Sequence, residues 1–338
     1  MSTIKDVAKL AAVSPSTVSR VIADSQRISP ETKARVRKVM KELNYHPNMI
    51  ARSLITRSSQ TLGLILSRSA SSAFLNHFFP EIIRGISTIT QKRHYNLMLA
   101  TAEDYSEEAK QAMRMIAEKR VDGIIILATR VNDELIRELT KSDFPFVVVG
   151  RIPESIKCHS VNNDNIQASY TAVRHLLNHG HQRIAMINGP EEFTFCQDRF
   201  DGYRLALREF GVEYDPALIR SGALTQEEGY RLTKELLKVQ PLPSAVFCID
   251  DLLAVGAYQA IKEARFVIPD SIAVIGFNDD PVAAVMEPHL TTTRIPIYEM
   301  GVNAAEIIIQ LLEGKEVSPM QKILSSELII RQSCGTQI

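Results

Sequence analysis

The side chains that could do chemistry in this chain fall into two sets. The first is the run SPSTVSR, residues 14–20. A guanidinium can donate two parallel hydrogen bonds to O6 and N7 of guanine, worth about 1–3 kcal/mol of discrimination, whereas Ser and Thr hydroxyls more often hold phosphate. Arg20 is therefore the candidate base reader, with Ser14, Pro15, Ser16, Thr17 and Ser19 around it; the alternative for Arg20 is a solvated helix residue. The second set follows strand-like apolar runs: Asn76, Phe78 and Phe79; Gly150 and Arg151; Asn163 and Asp164; Phe193, Phe195 and Arg199; Asp250 and Asp251; Asn278, Asp279 and Asp280. Aromatic plates mixed with hydrogen-bonding side chains suit a sugar, whose ring faces stack while its hydroxyls need donors and acceptors. The alternatives stay open here: the phenylalanines as core, Asp250 and Asp251 as helix N-caps, and Arg199 as a structural ion-pair residue.

The first set needs short helices to present it. Thr3 with Asp6 three positions on reads as an N-cap, and Ile4, Val7, Ala8 and Ala11 follow at helical spacing. Ser14 caps a second helix, with Pro15 at its first position, running to about Ile22. Ser29 and Pro30 repeat the signal for a third, whose Val36, Val39, Met40 and Leu43 face inward. The two or three residues around Val13 give the spacing of a helix-turn-helix, whose second helix lies in the major groove. After Pro47, Asn48 can cap the two-turn segment MIARSLIT. That helix is marginal in water alone and should fold conditionally, with Leu54 available to wedge between base steps; the alternative is a passive linker.

The charge distribution agrees. Residues 1–58 hold 11 Lys or Arg and 4 Asp or Glu, a net of +7, and the remainder of this formally neutral 338-residue chain carries −7. A basic block confined to one end points to a polyanion.

The second set needs a scaffold of parallel strands. TLGLIL, YNLMLA, VDGIIILA and FPFVVVG alternate with helical stretches, and RIAMING, SAVFCID and IAVIGF follow in a second series, with helices such as 197–210 and 252–264. This rhythm predicts two doubly wound parallel sheets, with ligands bound outside the carboxyl ends of the strands. Cys158, Cys196, Cys248 and Cys334 are too scattered for a zinc site or a disulfide framework. His175, His179 and His181 form the one metal-like cluster, read as structural because last-turn histidines favour the helix dipole. Nucleotide-binding glycine motifs and a serine elbow are absent, and we expect neither catalytic residues nor a cofactor. With no secretory leader and no apolar run of the ~18 residues that suggest a membrane span, we expect a cytoplasmic chain without a membrane partner.

TIKDVAKLAAVSPSTVSRVI, KELNYHP and ARSL together resemble the N-terminus of the lactose-repressor/galactose-repressor (LacI/GalR) family of bacterial regulators. FFPEIIRGI, VDGIII, VNNDN, HQRIAMINGP, RFDGYRLAL, DDLLAVGAYQAIKEA, VIPDSIAVIGFNDD and PHLTTTRIPIYEMG extend the resemblance over essentially the whole chain. It implies an all-α helix-turn-helix domain with a hinge helix, then an α/β core of two doubly wound parallel-sheet subdomains like a periplasmic binding protein. The expected divisions are 1–46, 47–58 and 59–338, the core comprising about 60–161 plus 291–322 and about 162–290 plus 323–338. Arg20 falls on the family's guanine-reading arginine and Leu54 on its wedge; Thr3, Ser29, Asn48, Ala51 and Arg52 join the expected DNA contacts. Phe78, Phe79, Asp164, Arg199, Asp251 and Asn278 fall on effector-contacting positions, and many relatives carry Asp where this chain has Asn278. The absence of an arginine near Phe193 argues against an anionic purine-like effector. SPSTVSRVIADSQRIS, NHFFPEIIRGIS, FPFVVVGR and VNNDN resemble maltose-operon repressors of Gram-positive bacteria.

The resemblance implies a homodimeric repressor that binds palindromic double-stranded operator DNA and is released by a small sugar, maltose or a maltodextrin. The helices at 80–91 and 111–119 are candidates for the dimer interface. The rivals are a regulator strengthened by a co-repressor, a plain sugar-binding module, and a sugar-modifying enzyme, which would need an acid/base pair in the cleft among Asp164, Asp250 and Asp251.

Overall fold

The computed structural model describes residues 2–45, 58–66, 74–102, 104–127, 129–153 and 155–335. Three helices open the chain: α1 (Ile4–Leu10), α2 (Pro15–Ile22) and α3 (Pro30–Glu42). Each begins where a side chain accepts from a first-turn backbone N–H: Thr3 from Asp6, Ser14 from Thr17 and Ser29 from Thr32. Thr3 and Asp6 complete a reciprocal capping box. Such short helices are stable only when packed. Their apolar faces meet in one small core of Val7, Ala8, Ala11, Val18, Val21, Val36 and Val39, sealed by Met40, Leu43 and Tyr45.

The rest of the chain builds two six-stranded sheets. The first is wholly parallel: β1 (Thr61–Leu66), β2 (Asn96–Thr101), β3 (Gly123–Leu127), β4 (Phe146–Val149), β5 (His159–Asn163) and β11 (Gln321–Leu324), in the order β11-β5-β4-β3-β1-β2. The second contains β6 (Ile184–Asn188), β7 (Ile219–Ser221), β8 (Ala245–Cys248), β9 (Ala273–Asn278), β10 (Thr291–Arg294) and β12 (Glu327–Ile329), ordered β12-β10-β9-β8-β6-β7. Only β12 runs antiparallel to its neighbour. Central strands such as GIIIL and AVFC are buried along their whole length, which is why they read as continuous apolar runs.

Helices α4 (Phe78–Lys92), α5 (Tyr105–Ala117) and α6 (Glu134–Lys141) follow strands of the first sheet. Helices α7 (Asn165–Asn178), α8 (Thr194–Glu209), α9 (Gln226–Leu236) and α10 (Asp251–Glu263) belong with the second. The chain passes between the sheets three times: after β5, between β10 and α11 (Ile297–Leu312), and between β11 and β12. The second passage corrects the division expected at residue 291: β10 pairs with β9 in the second sheet, and only α11 returns to the first, packing along α4. The backbones of α4 and α11 approach closely at Gly85 and Gly301, where a Cβ would run into Tyr298 O and Ile82 O respectively.

Candidate functional site

On α2, Val18 and Val21 are buried, Ser14, Pro15, Ser16 and Arg20 are exposed, and Thr17 and Ser19 are half-buried. The helix thus shows solvent one polar face with Arg20 in its last turn. Some of the expected contacts already have structural work. Thr3, Ser14 and Ser29 hold helix caps, and Ser14 Oγ also bonds Ser16 Oγ (2.7 Å) and Thr17 Oγ1 (3.0 Å). Asp24 gathers Lys33 (3.1 Å) and Arg37 (2.7 Å), removing two cations of α3 from the free basic set. Asn48, Ala51, Arg52 and Leu54 lie outside the described residues.

In each sheet the strand order reverses beside the first strand, at β1/β3 and β6/β8, and both reversals open onto one interdomain cleft. The cleft lies between the carboxyl ends of the strands, where ligands of such sheets bind. Of the candidate residues, Asn76, Phe78, Phe79, Gly150, Asn163, Phe195, Arg199, Asp250 and Asn278 line it. Phe78 and Phe79 stand edge to face at 5.3 Å, the geometry that suits the ring quadrupoles. At Gly150, φ is +135° and a Cβ would stand 2.8 Å from Thr129 Oγ1, so that turn requires glycine.

Arg199 is 5% exposed. Its Nε donates to Asn165 Oδ1 (2.9 Å), its Nη1 to the Ile249 carbonyl (2.5 Å), and its guanidinium lies 3.7 Å from the Phe277 ring centroid. Burial lowers its pKa to about 10, with nearby Cys196, Asp250 and Asp198 pulling the other way, so it remains a cation at neutral pH. Asp250 uses Oδ1 to cap α10 through Leu252 N (2.9 Å). Its Oδ2 accepts from Asn76 Nδ2 across the cleft and from Asn278 Nδ2 on its own side, both at 3.0 Å. One carboxylate therefore serves as a helix cap, a cleft wall and an interdomain tie. Where an Asp at 278 would repel Asp250, the amide donates to it.

Four candidates fall elsewhere. Asp251 is fully buried beneath β9 and β10, accepting from Thr292 Oγ1 (2.7 Å) and Asp280 N (2.8 Å); burial pushes its pKa up to about 8. Asp164 caps α7 through Gln167 N (2.9 Å) and borders an outer groove. Phe193 is the buried residue before α8, stacked on Phe195 at 5.6 Å, where its backbone bridges to Arg130 of the facing subdomain. Arg151 donates through Nε to both Asp198 oxygens (2.7 and 2.9 Å) at the cleft rim. Asp198 is buried, which raises its pKa even against the opposing pull of Arg151.

The cleft also holds residues the sequence reading did not single out: Asn162, Asn165, Thr129, Thr194, Leu224, Ile295 and Met300. Asn162 and Asn165 belong to the VNNDN motif, whose amide density was the available signal. Among the described residues, no three His, Cys, Asp or Glu side chains are grouped to hold a metal ion. Nor is any helix of the described residues long and apolar enough to cross a membrane. His175 and His179 instead pack ring on ring at 4.3 Å, His175 Nε2 lying 3.3 Å from Cys334 Sγ.

Residues 3–48 match the family model described as bacterial regulatory proteins, lacI family, and residues 173–334 match a periplasmic binding protein-like domain. The HTH-type transcriptional regulator MalR of Streptococcus pneumoniae is 37% identical over 318 residues, 93% of this chain and 94% of that protein. A transcriptional regulator CelR–cellobiose complex superposes with a TM-score of 0.77 at 32% identity, over 98% of this chain and 100% of the other. The lac repressor dimer bound to operator and an anti-inducer gives a TM-score of 0.86 at 25% identity, over 98% and 99%.

Proposed function

The chain belongs to the lacI family of bacterial regulatory proteins, and from that premise we propose that it is a homodimeric repressor of a sugar-utilisation operon. Its relatives are transcriptional regulators rather than enzymes. In this reading residues 1–46 bind DNA, 47–58 form the hinge, and 59–338 bind the effector and pair two copies. Two α2 helices then read the half-sites of a palindrome, Arg20 supplying the guanine contact. A small sugar in the interdomain cavity, maltose or a maltodextrin, releases the operator.

The single observation that carries the effector assignment is the cavity itself, with Phe78, Phe79 and Phe195 beside Asn76, Asn278, Asp250 and the buried Arg199. Apolar plates and bidentate polar groups on facing walls are what a pyranose needs. The maltose assignment draws on the motifs that resemble maltose-operon repressors, such as NHFFPEIIRGIS and VNNDN; cellobiose, named with CelR, is the obvious competitor. The exposed Leu99 on edge strand β2 and Met113 on α5 add to the regions at 80–91 and 111–119 as a surface for pairing.

A sugar that binds the closed cleft better than the open one shifts the subdomains and, through them, the spacing of the DNA-binding units. Anisotropy of a labelled operator, titrated with the full-length protein, tests this. Maltose should weaken binding by about 5- to 150-fold, the usual range of such coupling. Arg20→Ala should cost about 1–3 kcal/mol on the operator while barely changing nonspecific binding. Equal loss on both DNAs would reject base reading, and a sugar that tightens the complex would make it a co-repressor.

A further inference from the structure

Outside the cavity, beyond the Arg151–Asp198 pair, runs a groove of about 800 Å³ whose lining includes Arg151, Asp198, Asn162, Asp164, Gln321 and Lys322. It is not a separate feature of the surface. Asn162, Asn163 and Asn165 border both spaces. Among the bonds that hold these amides, Asn163 Nδ2 to Asn165 Oδ1 is 3.2 Å, Asn163 Nδ2 to Ser326 Oγ is 3.3 Å and Asn165 Nδ2 to Asn162 Oδ1 is 3.5 Å, whereas Arg199 Nε holds Asn165 Oδ1 at 2.9 Å. The two bonds beyond 3.2 Å are weak, so Asn162 and Asn163 can exchange them for a ligand's hydroxyls at little cost, while Arg199 keeps Asn165 in place.

We propose that this groove is a second saccharide subsite, so that the effector is an oligosaccharide with one sugar unit in the aromatic cavity and the next beyond the Arg151–Asp198 pair. The proposal rests on the sugar-effector reading above and extends it to the length of the ligand. Arg151 binds Asp198 through Nε alone; its two Nη groups donate to no acceptor among the described residues, and the side chain is 42% exposed. Those donors are held in place and available to a hydroxyl. Ile323, 63% exposed, and Ile166, 36% exposed, flank the same groove and offer apolar surface to a ring face. Charge selects the class: Arg151 and Lys322 balance Asp164 and Asp198, so the groove suits a neutral polyhydroxyl chain better than a phosphorylated or carboxylated sugar.

Calorimetric titration of the full-length protein with glucose, maltose, maltotriose, cellobiose and glucose 6-phosphate tests the assignment, repeated on Ile323→Trp and on the double variant Gln321→Ala/Lys322→Ala. In the wild type at least one oligosaccharide should bind 10-fold or more tighter than glucose, and glucose 6-phosphate should not outbind glucose. Both variants should lose that gain while glucose affinity stays within twofold. Equal affinity at every chain length, tighter binding of the phosphorylated sugar, or an equal loss for all lengths in the variants would overturn the subsite while leaving a sugar effector intact. If none of these saccharides binds to protein that still holds operator DNA, the sugar-effector reading fails and the subsite with it.

Discussion

Asp280 shows how much a single side chain can set in this core. Neither of its carboxylate oxygens has a hydrogen-bond partner among the described residues, although the residue is only 3% exposed. Burial, then the neighbouring Asp250, Asp251 and Asp279, push its pKa up to about 9, and burial lifts Asp251 to about 8. A carboxyl whose folded pKa lies above its unfolded value, about 3.9, favours folding while protonated. That contribution is complete below about pH 4 and is lost as pH rises toward the folded pKa. Core stability should therefore fall between pH 5 and pH 9. Asp280→Asn, which cannot ionise, should flatten the fall and gain roughly 1–3 kcal/mol at pH 8 relative to pH 5, on the scale of a buried unpaired group. Urea unfolding at the two pH values decides, and parallel profiles for variant and wild type would reject it. Little of this was legible in the sequence. FNDD and CIDD advertise acidic residues at strand ends, but which carboxylate turns toward the cleft and which lies beneath β9 depends on the local turn. Asp250 faces the cavity and its neighbour Asp251 does not.

At the scale of elements, the cavity depends on how tightly α11 lies against α4, because α4 begins with Phe78 and Phe79 and α11 contributes Met300. Gly301 permits that approach. Gly301→Ala would gain helix propensity in isolation, but the new Cβ meets the backbone carbonyl of Ile82, which cannot rotate away. The helices must separate, at a cost of about 1–3 kcal/mol. Thermal unfolding should show a lower Tm, and sugar affinity should fall with it. An unchanged Tm would mean that the interface relaxes freely. The elements that sequence made legible are those with strong periodicity or caps: α1 to α3 from Thr3, Ser14 and Ser29, and the buried strands from their unbroken apolar runs. The helices expected at 197–210 and 252–264 start slightly earlier, at Thr194 and Asp251. Strands β5, β7, β10, β11 and β12 did not stand out, because HSVNN, IRS and TTTR are largely polar and QKIL and ELI are too short to show a pattern. Missing β5 hid Asn162 as a cavity residue, and missing β10 misplaced a passage between the subdomains.

At the scale of the whole molecule, the two subdomains are tied together by contacts that an open cleft would have to break. Asn76 reaches Asp250, Thr129 and Thr194 share a short hydroxyl–hydroxyl bond, and main-chain bonds join Val131 N to Glu192 O (2.9 Å) and Thr194 N to Thr129 O (3.0 Å). The Arg151–Asp198 pair is the tie whose removal leaves a buried charge behind, since Asp198 is buried and Arg151 is its one ion-pair partner among the described residues. Losing one partner of a fully buried pair costs about 3–5 kcal/mol; with Arg151 at 42% exposure, solvent screening reduces this to about 1–2 kcal/mol. In the open cleft Asp198 regains water, so the loss falls on the closed form alone. Arg151→Ala should thus shift the core toward opening, seen as a larger radius of gyration in small-angle scattering. The sugar concentration needed for half-release of the operator should rise roughly 10-fold, since ~1.4 kcal/mol is a factor of ten. This closure term acts on glucose as well as on longer sugars, whereas a lost groove contact would weaken only the longer ones. Asp198→Asn, which keeps the shape and removes the buried charge, should shift release less. A wild-type radius and release profile in Arg151→Ala would show that the backbone bonds hold the cleft closed without the ion pair.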